Sequence, residues 1–152
     1  MIQKILVTDD GTEVSNRAIK IASEIAGPCT SHITLLYVIE PIEDPNTMIF
    51  DNNKELIEKA KMMNLETTVE NPYHKRAQEM IKKLDKQNIS SDSAYLTGNI
   101  AEKILEYADT KKVDMIVMGS SKRLKGISKI KALGSDTRKV SELAKCPVLI
   151  VH

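Results

Sequence analysis

The stretch Val113-Asp-Met-Ile-Val-Met118, followed by Gly119-Ser-Ser121, a basic run, Gly134-Ser135, a helical segment and Pro147-Val-Leu-Ile-Val151, decides how this chain folds. An unbroken apolar run that stops at a glycine reads as a strand covered on both faces. The Gly-Ser pair reads as the start of a helix that returns the chain to the next strand. The loop between them has the chemistry of an anion cradle. Amide N–H groups at a helix N-terminus favour phosphate, and glycine lets backbone approach it without a Cβ in the way.

The same alternation extends toward the N-terminus. Ile2 to Thr8 is an apolar run of β type, and Asp9-Asp10-Gly11-Thr12-Glu13 follows as a turn. Thr12 or Ser15 can cap a helix whose apolar positions Val14, Ala18, Ile19, Ile21, Ala22, Ile25 and Ala26 recur at helical spacing. Gly27-Pro28 is expected to end that helix. Ile33 to Ile39 is a second strand, closed by Glu40-Pro41. Between 41 and 71 the pattern is broken by Pro41, Pro45, Asn46 and Asn52-Asn53, although a helix over 53–64 fits Leu56, Ile57, Ala60 and Met63. Asn71-Pro72 reads as the N-cap and first position of another helix, carrying Ala77, Met80, Ile81 and Leu84 and ending near Gln87-Asn88. Whether these two pieces are one bent helix stays open. Ile89 to Thr97 is a third strand, and Gly98-Asn99 leads into a helix with Ile100, Ala101, Ile104, Leu105 and Ala108. Val113 to Met118, Ser135 to Ala144 and Val148 to Val151 complete the order as strand, helix and strand.

Such alternation predicts one α/β domain over residues 1–152, a five-stranded, doubly wound parallel sheet with right-handed crossovers and helices on both faces. Ligands of such sheets lie beyond the carboxyl ends of the strands, where the winding reverses. That rim collects Asp9, Asp10, Val38 to Pro41, Thr97-Gly98 and Gly119 to Lys122.

Composition excludes several functions. Lys plus Arg number 22 against 21 Asp plus Glu, and this near-balance argues against a dedicated nucleic-acid binder. One Phe, four Tyr and no Trp leave little to stack on single-stranded bases. Met1-Ile-Gln-Lys runs into an apolar strand instead of a signal peptide, and no stretch has the length of a membrane span, so the expected location is the cytoplasm. Cys29 and Cys146 are far apart, and His32, His74 and His152 form no local cluster, so zinc and Cys–His catalysis are not expected.

Across the whole chain the residues resemble the universal stress protein family, with its adenine-nucleotide α-hydrolase-like fold. Lys4-Ile-Leu-Val-Thr-Asp-Asp-Gly-Thr12 resembles the opening strand and Asp-Gly-Ser turn, and Leu35-Leu-Tyr-Val-Ile39 the second strand. Gly98-Asn-Ile-Ala-Glu-Lys-Ile-Leu105, Asp114-Met-Ile-Val-Met-Gly119, Gly134-Ser135 and Cys146-Pro-Val-Leu-Ile-Val151 follow in the family's order. The resemblance implies strand order 3-2-1-4-5 and an isologous homodimer through Val148 to Val151, an apolar final strand expected at a sheet edge.

Members that bind ATP resemble one another in Gly, two residues, Gly, nine residues, Gly-Ser/Thr. Here Gly119 and Gly134-Ser135 match the ends, Lys122 stands at the middle glycine, and the gap is two residues longer. Gly126 serves instead if the insertion falls before it. A side chain at the middle position costs about 1 kcal/mol where positive φ is required. Against this, Lys122, Arg123, Lys125, Lys129 and Lys131 offer cations to a polyphosphate, each a modest and salt-sensitive contribution.

By resemblance Asp10 sits near adenine or ribose and Val38 contacts adenine through its backbone. The candidate nucleotide residues on the strand ends are thus Thr8, Asp9, Asp10, Val38 and Met118. On the loop and the last helix they are Gly119, Ser120, Lys122, Gly126, Gly134, Ser135 and Thr137. The implied cofactor is ATP, with or without Mg²⁺. Neither a His-based dyad nor a complete P-loop is present, so the expected function is a non-catalytic or slowly hydrolysing, ATP-binding regulator or sensor of stress. Two readings compete: a dimeric interaction module without nucleotide, using the basic loop and Met48, Met62 and Met63, and a nucleotide hydrolase holding Mg²⁺ on Asp9, Asp10 or Asp136.

Overall fold

The computed structural model describes residues 1–41, 72–120 and 134–152. The helix expected over 53–64, the cations of the long loop, Lys122 and Gly126 lie outside the described residues. Five strands, β1 (Lys4–Thr8), β2 (His32–Ile39), β3 (Ser91–Thr97), β4 (Met115–Gly119) and β5 (Val148–Val151), form one parallel sheet in the order β3-β2-β1-β4-β5. This is the predicted sheet and order. Four described helices connect them: α1 (Glu13–Cys29), α2 (Pro72–Asp85), α3 (Ile100–Lys111) and α4 (Ser135–Leu143).

Successive residues of β1 point to opposite faces and both faces are buried, so the strand is apolar without alternation. Ile5 and Val7 join Ile33, Leu35 and Tyr37 beneath α1 and α2, where Ala18, Ala22 and Ala26 form a stripe of small residues that lets α1 lie close to the sheet. Leu6 joins Leu36, Ile116 and Met118 beneath α3 and α4, with Ala101, Ile104, Ala108 and Val140 above them. Ile5, Leu6, Val7, Ile33, Leu35, Leu36, Ile116 and Val117 are all 1% exposed or less, which marks the sheet centre as the core of the molecule.

Helix ends account for most differences from the expected boundaries. Helix α1 runs through Gly27-Pro28 to Cys29, because a proline this close to the C-terminus forfeits only one intrahelical bond and its fixed φ is helical. Thr30, at φ 54°, makes the stop: its N–H donates to the Gly27 carbonyl and the Ser31 N–H to that of Ala26, the paired bonds of a Schellman motif. The same pair recurs after α2 at Asn88 and Ile89, and after α3 at Lys112 and Val113. Ile89 and Val113 are thereby spent on ending helices, and β3 and β4 begin two residues later than their apolar runs. Thr12 caps α1 by accepting from Ser15 N, and Asn99 caps α3 by accepting from Glu102 N.

Candidate functional site

Strands β2, β1 and β4 are neighbours, so their carboxyl ends bring Val38, Thr8-Asp9-Asp10 and Met118-Gly119 to one rim of the sheet. Thr8 pairs with Leu36 and Asp9 N donates to the Leu36 carbonyl, which carries the β1 ladder one residue past the strand. Helix α4 is tied to the same rim, since Thr137 Oγ1 donates to the Gly119 carbonyl at 3.2 Å, and β5 is joined to it where Ser120 N donates to Val151 O at 2.8 Å. Gly134 is the N-cap of α4 and contributes no side-chain cap, unlike Thr12 and Asn99 at the starts of α1 and α3. Among the described residues no N-cap side chain accepts from the first amides of α4, as Thr12 and Asn99 do in α1 and α3, a state in which a helix N-terminus suits an anion.

Position by position, the rim divides into frame and surface. Met118 is 4% exposed and belongs to the core, and Thr137 is buried with its hydroxyl spent on Gly119. Thr8, Asp10, Val38, Gly119, Ser120 and Gly134 are half-buried and Ser135 is exposed. Gly119 has a packing requirement of its own. A Cβ there would stand 2.7 Å from Val14 Cγ1 of α1, so glycine is needed for helix–sheet contact whether or not phosphate approaches.

The turn after β1 is built on two successive carboxylates. Asp9 Oδ1 accepts from Gly11 N at 3.0 Å, with Gly11 at φ 82°, and Asp10 Oδ1 accepts from Thr12 N at 3.1 Å and from its hydroxyl at 2.6 Å. These Asx turns swing the chain from the strand into α1. Asp9 continues the inward face of Ile5 and Val7, and its side chain is fully buried. Arg76 of α2 answers that charge: Nε donates to Oδ2 at 2.7 Å and Nη2 to Oδ1 at 2.8 Å, a bidentate fork, while the buried Tyr37 hydroxyl donates to Oδ2 at 2.7 Å. Burial alone pushes the Asp9 carboxyl up. The bonds from Arg76, Tyr37 and the Gly11 amide outweigh it and hold the group below the ordinary carboxylate value. Burial, then the bond to Asp9, pushes the Tyr37 phenol far up, and the bond to Asp9 raises Arg76 further.

Arg76 and Tyr37 escaped the sequence reading. The alternation Ile5, Val7, Asp9 signals that a carboxylate points into the core and needs a cation, but sequence does not say which of 22 answers it. Arg76 lies 67 residues away in sequence. With Asp9 occupied by this fork, the set of acids offered to Mg²⁺ is reduced. Among the described residues no group of three or more His, Cys, Asp or Glu side chains stands where it can hold a metal ion.

The histidines also acquire partners that spacing did not show. His32 Nδ1 lies 2.7 Å from Ser90 Oγ and its Nε2 3.1 Å from Asp92 Oδ1, at the amino end of β2 and β3 and so away from the rim. Serine, imidazole and carboxylate are in sequence here, but the side chains of His32 and Asp92 are 39% and 59% exposed. Water competes for every bond of such a group, whereas nucleophilic catalysis relies on a desolvated site.

Comparison with known proteins matches this architecture. Universal stress protein YxiE of Bacillus subtilis (strain 168) is 29% identical over 164 aligned positions, covering 100% of both chains. Universal stress protein MJ0531 of Methanocaldococcus jannaschii is 30% identical, covering 99% of this chain and 82% of that one. A universal stress protein solved in complex with cAMP superposes with a TM-score of 0.68 at 23% identity, over 99% of this chain and 97% of the other. The universal stress protein from Archaeoglobus fulgidus in complex with dAMP does so with a TM-score of 0.63 at 17% identity, over 100% of both. At those identities the two structures show a shared fold. The model of the universal stress protein family matches residues 1–152 without a gap at either end, and this chain belongs to that family.

Proposed function

We propose that this chain binds an adenine nucleotide, with ATP as the ligand, and acts as a stress-response regulator whose output is binding and not turnover. The observation that carries the reading is the convergence at one rim of the Asp9–Thr12 turn, the β2 end at Val38 and the Gly119–Ser120 strand end with the N-terminus of α4, whose Gly134 cap supplies no side chain. Solved relatives with this fold hold cAMP and dAMP, so the adenine moiety is the shared chemistry. On this reading Asp10 faces ribose or adenine, the Val38 backbone meets the base, and the first amides of α4 with Ser135 meet the phosphates. Lys122 and the neighbouring cations of the long loop supply charge to the β- and γ-phosphates. Asp136, in the first turn of α4, would help hold Mg²⁺, which would offset the charge of the phosphates. Met118 and Thr137 act as frame. The protein is further proposed to work in the cytoplasm as a homodimer paired through β5.

Calorimetric titration with ATP, ADP and AMP, with and without Mg²⁺, tests the reading. Binding tighter than about 1 mM, equivalent to about 4 kcal/mol, is expected for ATP. An absence of heat for all three at millimolar nucleotide sinks it. Mass spectrometry of small molecules released from the denatured protein then separates a reservoir, which releases ATP, from a hydrolase, which releases ADP or AMP.

A further inference from the structure

Arg76 belongs to α2, yet among the described residues the bonds of its guanidinium go to the turn and helix that open the proposed nucleotide rim. Its Nε and Nη2 hold both oxygens of Asp9, and Nη2 also reaches Asn16 Oδ1 at 2.6 Å and Ser15 Oγ at 3.5 Å in the first turn of α1. From Asp9 the connection continues through Oδ1 to the Gly11 amide, and beside it through Asp10 to Thr12, whose hydroxyl caps α1 at Ser15 N. One planar cation thus touches or lies one bond from the end of β1, the turn and the helix start. A lysine ammonium lacks the fork that grips two carboxylate oxygens and a third acceptor at once.

Burying such a pair is a poor route to stability, because desolvation of both ions offsets their attraction and an apolar pair of like volume does as well or better. What an apolar pair lacks is an acceptor for the Gly11 amide and for the buried Tyr37 hydroxyl, and with them a fixed direction for the turn. We infer that Arg76 is a positioning residue for nucleotide binding: it orients Asp9 so that the Asp9–Thr12 turn holds Asp10 toward the ligand. The inference rests on the nucleotide reading above. It extends the site to α2, which the strand-end rule does not reach.

The double variant Asp9→Val/Arg76→Met removes both charges together and so keeps the core filled. Two readouts follow, ATP affinity by calorimetry and amide hydrogen exchange at Gly11, Thr12 and Ser15. Exchange at Gly11 and Thr12 is expected to rise on the order of 10-fold and the Kd for ATP to weaken by a similar factor, the size of a lost hydrogen bond to a charged group. Arg76→Lys, which keeps the charge and loses the fork, is expected to recover part of the affinity. A double variant that binds ATP as the wild type does, whatever its exchange, overturns the positioning role. If the double variant does not fold, Arg76→Lys carries the test: wild-type affinity in that variant overturns the role of the fork. Failure of the wild-type protein itself to bind any adenine nucleotide overturns the nucleotide reading, and the positioning role falls with it.

Discussion

Asp9 is the residue at which local pattern and function part company. By spacing it is a core position, by chemistry a charge, and the two are reconciled only by Arg76 and Tyr37. Because its folded pKa lies below the unfolded value of 3.8, its stabilising contribution is present above that pH and is lost as pH falls through the folded pKa. Thermal melts from pH 6 to pH 2 should therefore show an acid-side loss in the wild type that is shallower in Asp9→Val/Arg76→Met, and parallel curves would remove Asp9 from the account. Gly119 offers a second prediction at this scale. Gly119→Ala places a methyl 2.7 Å from Val14 Cγ1 and should destabilise by about 1–3 kcal/mol in urea unfolding, through overpacking, with or without nucleotide present.

Among the elements, helices α1, α2 and α3 share one stopping device with unfavourable residues in it, whereas α4 ends on Ala144 in an extended conformation. Thr30, Asn88 and Lys112 take the left-handed conformation that glycine adopts without strain. Lys112 is exposed and its side chain is not needed for the two closing bonds, which come from its own N–H and that of Val113. Lys112→Gly should raise stability by about 0.5–1 kcal/mol, read as a higher melting temperature, while circular dichroism stays unchanged. A lower melting temperature would show that the backbone at 112 is not strained. The strands were legible from their apolar runs to within two residues; at Ile89 and Val113 a helix stop borrowed the first residues of the run, and β1 begins at Lys4, two residues after the start of its run at Ile2.

For the whole molecule the informative contrast is between the two sheet edges. Edge strand β3 reads Ser91-Asp-Ser-Ala-Tyr-Leu-Thr97, with the polar residues that discourage pairing, whereas β5 reads Val148-Leu-Ile-Val151. The bonds Ile116 N to Pro147 O and Ser120 N to Val151 O show that odd-numbered residues of β5 face β4, so by parallel alternation the N–H of Ile150 points outward. Ile150→Pro removes that donor while leaving the β4 ladder intact. It should halve the mass measured by light scattering if β5 is the dimer edge, and an unchanged dimer mass would move the interface elsewhere.

Periodicity and turn chemistry alone were enough for the class, the five strands, the described helices and the rim on which candidates fell, because apolar burial on two faces of a parallel sheet imposes a local pattern. The same patterns placed Thr8, Asp9, Asp10, Val38 and Gly119 on one rim of strand ends without a single contact being known, and the order that makes those ends neighbours was what the family resemblance implied. The partners of those residues were another matter: that Asp9 is answered by Arg76, that Thr137 is spent on Gly119, and that Gly119 is required by Val14. These pairs come from segments far apart in the chain and have no spacing in common. A buried charge states its need for a counterion locally, but which cation meets it is settled only when packing brings α2 across the sheet.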